Sequence, residues 1–141
     1  MPNGVQPSLD RMFLLSVHGQ LPAEIADPRG LRGRPVRIMF RYDHVGAGDK
    51  VFCDISLAVD IGEANEDQAD REPELLCALT VRSVWSPEGV NPKDILSNFA
   101  MPYLRQESVE AMNRMLTSLG VGTMDIEPDS LELRAPVVPN E

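Results

Sequence analysis

The chain has little of what most catalytic or metal chemistry needs. Two cysteines, Cys53 and Cys77, and two histidines, His18 and His44, are spread over 141 residues. No pair among them has the spacing of a structural zinc site. Two thiols make no disulfide framework, so a reducing cytoplasmic compartment is expected. Basic residues are scarce, 13 Lys+Arg against 22 Asp+Glu, for a net charge of −9. Such a chain has no footprint for a phosphate backbone and is repelled by anionic membrane surfaces. No apolar run approaches the ~18 residues of a membrane-spanning helix. Met1-Pro2-Asn3-Gly4 lacks the basic segment and apolar core of a secretory signal. No Gly-x-Ser-x-Gly elbow occurs. Gly46-Ala47-Gly48 lacks the third glycine and following helix of a phosphate loop, and reads as a hairpin turn. Catalytic residues, metal ligands and cofactors are not expected, and the chain reads as a non-enzyme.

What is there is a globular composition, 43% hydrophobic and 25% charged. A chain of this length buries roughly two-thirds of its unfolded surface and needs no staples. Residues 1–10 read as a flexible arm, 11–133 as one domain and 134–141 as a flexible tail. From Arg11 to Gln20 the pattern alternates, with Phe13, Leu15 and Val17 on an expected buried face. Leu14, Ser16, His18 and Gln20 fall on the other side, which makes His18 a surface histidine. Pro22 to Pro35 is a long irregular connection that still carries apolar residues, and loops of that length are often functional. Val36, Ile38, Phe40 and Tyr42 alternate with Arg37, Met39, Arg41 and Asp43. The Gly-rich turn at 45–50 returns the chain antiparallel and leaves His44 near the turn. Val51, Cys53, Ile55, Leu57, Val59 and Ile61 line one face of a third strand. The acidic stretch 62–74 reads as a solvated hairpin loop. It lacks the ordered acids and central glycine of an EF-hand. A fourth strand runs from about Leu75 to Trp85. Cys53 and Cys77 fall on apolar faces as buried, inert thiols.

The apolar period then changes from 2 to 3.6. Asn91-Pro92 reads as N-cap and first helical residue, Pro102 as a kink or restart, and Gly120 as the C-terminal cap. Strands followed by a helix give an α+β class, with the helix of about 92–119 covering the apolar face of the sheet. Met101, Met112, Met115 and Met124, among seven methionines, suggest an adaptable binding surface. With the apolar loop, this composition suits capture of extended polypeptide.

Several stretches also resemble the SecB protein-export chaperones, which hold non-native polypeptides without ATP. Arg11-Met12-Phe13 through Leu21-Pro22 resembles that family's first strand and the proline opening its crossover loop. Leu76-Cys77 through Val84-Trp85 is similar to its Leu-Cys-Glu-Val strand, which ends in an aromatic. Met101-Pro102-Tyr103-Leu104-Arg105 is similar to its Phe-Pro-Tyr-Ala-Arg, and Ile126-Glu127-Pro128 to its Leu-Ala-Pro. The resemblance implies a four-stranded antiparallel sheet with a long helix on one face, in a homotetramer built as a dimer of dimers. It implies a client-binding surface that includes Leu21, Ile25, Leu31, Tyr103, Met124 and Ile126. The family meets its SecA export motor through acids on the outer sheet face. Here those positions hold Ser16, Gln20 and, after Leu76-Cys77, Ala78. Losing three acids removes most complementarity to a basic partner, so SecA binding is doubtful. The resemblance therefore points to a divergent holdase with a dedicated client, of the kind found beside toxin–antitoxin pairs, the client being an antitoxin. The alternatives are a general export chaperone delivering to SecA, and a structural or inhibitory binding protein on the same fold.

Overall fold

A computed structural model of the chain describes residues 6–21, 26–31, 36–61, 75–123 and 126. Four strands, β1 (Ser8–Gln20), β2 (Val36–Ala47), β3 (Lys50–Ile61) and β4 (Leu75–Ser86), form one antiparallel sheet in the order β1-β4-β3-β2. β2 and β3 make a two-residue hairpin, with Ala47 opposite Lys50 and Gly48 at φ 66°, a conformation open to glycine. The acidic 62–74 connection lies outside the described residues.

β3 and β4 occupy the middle of the sheet and follow the period of two. Val51, Cys53, Ile55, Leu57, Val59 and Ile61 are buried along one row, with Cys77, Leu79, Val81 and Trp85 beside them. Ser83 interrupts that row without an unpaired polar group. Its hydroxyl donates to the Cys53 carbonyl at 2.7 Å and accepts from Trp85 Nε1 at 2.8 Å.

The helical layer begins where Asn91 caps it, its side chain accepting from the Lys93 N–H at 2.9 Å, with Pro92 as first residue. α1 (Pro92–Ile95) passes through a π-turn, Leu96–Ala100, into α2 (Met101–Ser118). Pro102 explains the turn. It has no N–H, and its ring would crowd a carbonyl one turn earlier, so the ladder widens and the Met101 N–H reaches Leu96 O. α2 ends in a Schellman motif. Gly120, at φ 85°, donates to Thr117 O, and Val121 donates to Leu116 O, both at 3.0 Å. α2 lays Leu104, Val109, Ala111, Met112 and Leu116 on β3 and β4.

Three expectations need correction. The methionines of the helix do not make a surface: Met101 and Met112 are buried and Met115 is half-buried, because the apolar stripe of α2 is the stripe that meets the sheet. Met124 lies outside the described residues. β1 begins at Ser8, where Ser86 and the Lys50 ammonium hold Asp10, and it lacks the single buried face read from alternation. Irregularities between Leu9 and Arg11 and between Leu14 and Ser16 shift its register. Leu14 thereby joins Met12 and Val17 on the helix side, and Phe13 falls on the outer side with Ser16 and His18. Both edge strands also expose apolar residues, because α2 lies mainly over the two middle strands and meets β1 only near Gly19.

Candidate functional site

The helix side of the sheet is covered in its middle and open at its flanks. Leu14 and Val17 on β1 and Val36 and Ile38 on β2 pair with buried Val81, Leu79, Ile61 and Val59, yet are themselves exposed. Leu15, at the β1 irregularity, is exposed as well. These flanks stay uncovered because α2 approaches β4 and β3. Gly19 fixes how closely it does so. A Cβ there would stand 2.7 Å from Met115 Sδ, 3.2 Å from Cys77 Sγ and 3.3 Å from Leu119 Cδ1. Near the start of α2 the Tyr103 ring tilts against buried Trp85, centroids 6.2 Å apart, while remaining 52% exposed.

The residues expected to bind clients divide. Tyr103 is on the surface and Leu21 is half-buried against the core. Leu31 and Ile126 are core residues, 2% and 6% exposed. Leu31 ends a 3-10 turn, Pro28–Leu31, and is buried against the core. Ile25 and Met124 lie outside the described residues. The structure adds apolar surface on the edge strands: Phe13, Leu15 and Val17, which alternation placed on a buried face, and Val36 and Ile38. Met39 and Val45 are exposed on the outer side. The signal for these was edge position, which strand pattern alone does not reveal.

The outer face carries the other expected surface. Ser16 pairs with Thr80, His18 with Ala78 and Gln20 with Leu76, so Ser16, Gln20 and Ala78 share one side of the sheet. No acid stands at any of the three. Ion pairs cross this face. Arg82 holds Asp54 through Nε and Nη2 at 3.0 and 2.9 Å, with its guanidinium 4.4 Å over the Phe52 ring. That pairing raises the Arg82 pKa. Arg37 binds Asp60 at 2.7 Å. Between the pairs lies a trough of about 400 Å³, floored by Ser56, Ala58, Ala78 and Thr80.

The thiols are placed for inertness. Burial pushes Cys53 up to about 12 and Cys77 up to about 11. Among the described residues no three His, Cys, Asp or Glu side chains gather as a metal site. No described helix is long and apolar enough to cross a membrane.

The fold defined by this sheet order and single long helix is the SecB-like α+β fold, in agreement with the resemblance seen in the sequence. Among solved structures the chain is similar to the Mycobacterium tuberculosis SecB-like chaperone Rv1957, in complex with a ChAD peptide from the Rv1956 HigA1 antitoxin. The TM-score is 0.65 at 13% sequence identity, over 86% of this chain and 89% of that one. No family model and no curated protein matches the chain.

Proposed function

We propose that this protein is an ATP-independent SecB-like holdase serving a dedicated polypeptide client, such as an antitoxin. The observation that carries the reading is the pair of open flanks of the helix side, Leu14 and Val17 on β1 and Val36 and Ile38 on β2, which expose apolar side chains on either side of a packed core, with Tyr103 exposed on α2. Apolar side chains left open along both edges of a sheet are surface for an interaction. A similar fold that holds an antitoxin peptide supports polypeptide as the occupant. The mechanism is reversible burial of a client's apolar segments in grooves, with no bond made or broken. Some of the same surface closes a homotetramer, a dimer of dimers, in the cytoplasm. Leu21, Ile25 and Met124 border the groove in this reading. Leu31 and Ile126 contribute by supporting its wall, since both are buried.

The dedicated client is favoured over general export because Ser16, Gln20 and Ala78 stand at the three outer-face positions where the resemblance expects acids for the SecA motor. The test is recovery of the tagged protein from its native cells without crosslinker, followed by light scattering of each recovered partner alone and with the chaperone. One small partner in fixed ratio that aggregates alone and stays soluble with the chaperone is the expected result. A broad set of unfolded presecretory proteins would establish the export reading instead. A folded partner that never aggregates would establish an inhibitory binding protein.

A further inference from the structure

The two edges of the sheet are not alike. β1 is broken by its irregularities at Leu9/Arg11 and Leu14/Ser16, and such breaks blunt an edge against further pairing. β2 has none of the usual defences. Its 12 residues hold no proline and no lysine, and they pair with β3 in unbroken register, from Val36 opposite Ile61 to Ala47 opposite Lys50. No strand of the sheet lies on its other side.

The hairpin decides which backbone groups face that open side. Its two-residue turn is closed by Ala47 and Lys50, the pair that exchanges both hydrogen bonds in such a hairpin. Alternating back from there, Val45, Asp43, Arg41, Met39 and Arg37 bond to β3. The residues between them aim N–H and C=O outward, among them Val36, Ile38, Phe40 and His44. Those outward groups meet no backbone partner among the described residues. The side chains of the same four stand opposite Ile61, Val59, Leu57 and Cys53, on the helix side. The open backbone edge and the open apolar flank of β2 therefore belong to the same residues.

A second copy of β2 is a poor occupant. The two longest antiparallel registers either set Arg41 against Arg41, or set Ile38 against Gly46 and leave Val36 beyond the pairing. A polypeptide with alternating apolar residues fits without either fault, because its backbone meets the edge whatever its sequence.

We propose, resting on the client reading above, that the client binds as a fifth strand, antiparallel along β2. In that geometry each client residue that bonds to β2 also lays its side chain on the helix side, beside Val36, Ile38 and Phe40. The apolar residues of the client are thus the ones whose own N–H groups are used. The probe is a fluorescein-labelled heptapeptide alternating serine with valine and isoleucine, read by fluorescence anisotropy on the full chain. N-methylation of its apolar residues should weaken binding roughly tenfold or more, while N-methylation of its serines should leave it within about twofold. Ile38→Pro removes an outward donor at an edge position that tolerates proline, and should bind the parent peptide roughly tenfold more weakly than Ile38→Thr, which keeps that donor. If Ile38→Pro fails to fold by circular dichroism, the methylated peptides decide. Equal effects of the two methylations, or the reverse order, overturn the strand geometry. If client aggregation is still suppressed, the holdase reading survives that result. Absence of both peptide binding and aggregation suppression overturns the two together. Dissociation of the assembly as the peptide binds, seen by sedimentation, also overturns the proposal, by giving the edge to a second copy.

Discussion

Cys53 and Cys77 lie on the two middle strands, β3 and β4, with no exposed surface. Burial is the main cause of both raised pKa values. A thiol reagent at pH 8 should therefore leave both unlabelled in the folded protein and modify both in denaturant, as read by mass spectrometry. The same shifts set a pH dependence. Below the ordinary thiol range, near 9, both states are protonated and nothing is lost. As pH rises from there toward about 12, unfolded thiols ionise and the buried ones do not, so stability falls. A urea midpoint that is flat across that range would contradict the burial argument. Gly120 makes the companion case for backbone. Its φ of 85° is strained for any L side chain, and an added Cβ would meet Pro28 Cγ at 3.0 Å. Gly120→Ala should cost about 1–2 kcal/mol, measured by the urea midpoint.

At the scale of elements, the contact of α2 with β1 rests on a missing side chain. Gly19→Ala must push Met115 aside and should cost about 1–3 kcal/mol. Met115→Ala in the same chain should recover part of the loss, because it empties the space the new methyl needs. Additive costs would mean the two residues do not meet. This contact was not legible in the sequence, where Gly19 was only one position in an alternating strand. β3 and β4 were legible because both are central, so their buried rows run from Val51 to Ile61 without a break and from Cys77 to Trp85 with Ser83 as the one polar member. The helix was legible from its punctuation: Asn91, Pro92, Pro102 and Gly120 each do locally what their chemistry dictates. β1 misled because an irregularity near Leu14 exchanges faces without leaving a mark on composition. Leu31 looked like loop surface because a single apolar residue among prolines and glycines carries no period.

For the molecule as a whole, the sheet ends on both sides in strands that expose apolar side chains, and an isolated chain would present them to water. Val17→Asp and Ile38→Asp change residues that are open in the single chain, so each should shift its stability by no more than about 0.5 kcal/mol. In an assembly that covers those flanks, each should lower the sedimenting mass at unchanged far-ultraviolet circular dichroism. Unchanged mass in both variants would move the subunit contacts elsewhere. The whole-molecule features were the least visible in the sequence. The faces of Ser16, Gln20 and Ala78 could be read from alternation, but the trough beside them exists only once four strands stand in register.

The strand order also has a consequence in time. β1 is made first but has no neighbour except β4, since β2 and β3 close on each other as a hairpin. At synthesis rates of ~5–20 residues per second, a wait of ~60 residues leaves the backbone of β1 without its pairing strand, and its apolar side chains beside no core, for roughly 3–12 seconds in each newborn chain. During its own birth, this protein is the kind of sticky, half-made polypeptide that other proteins must be kept from becoming.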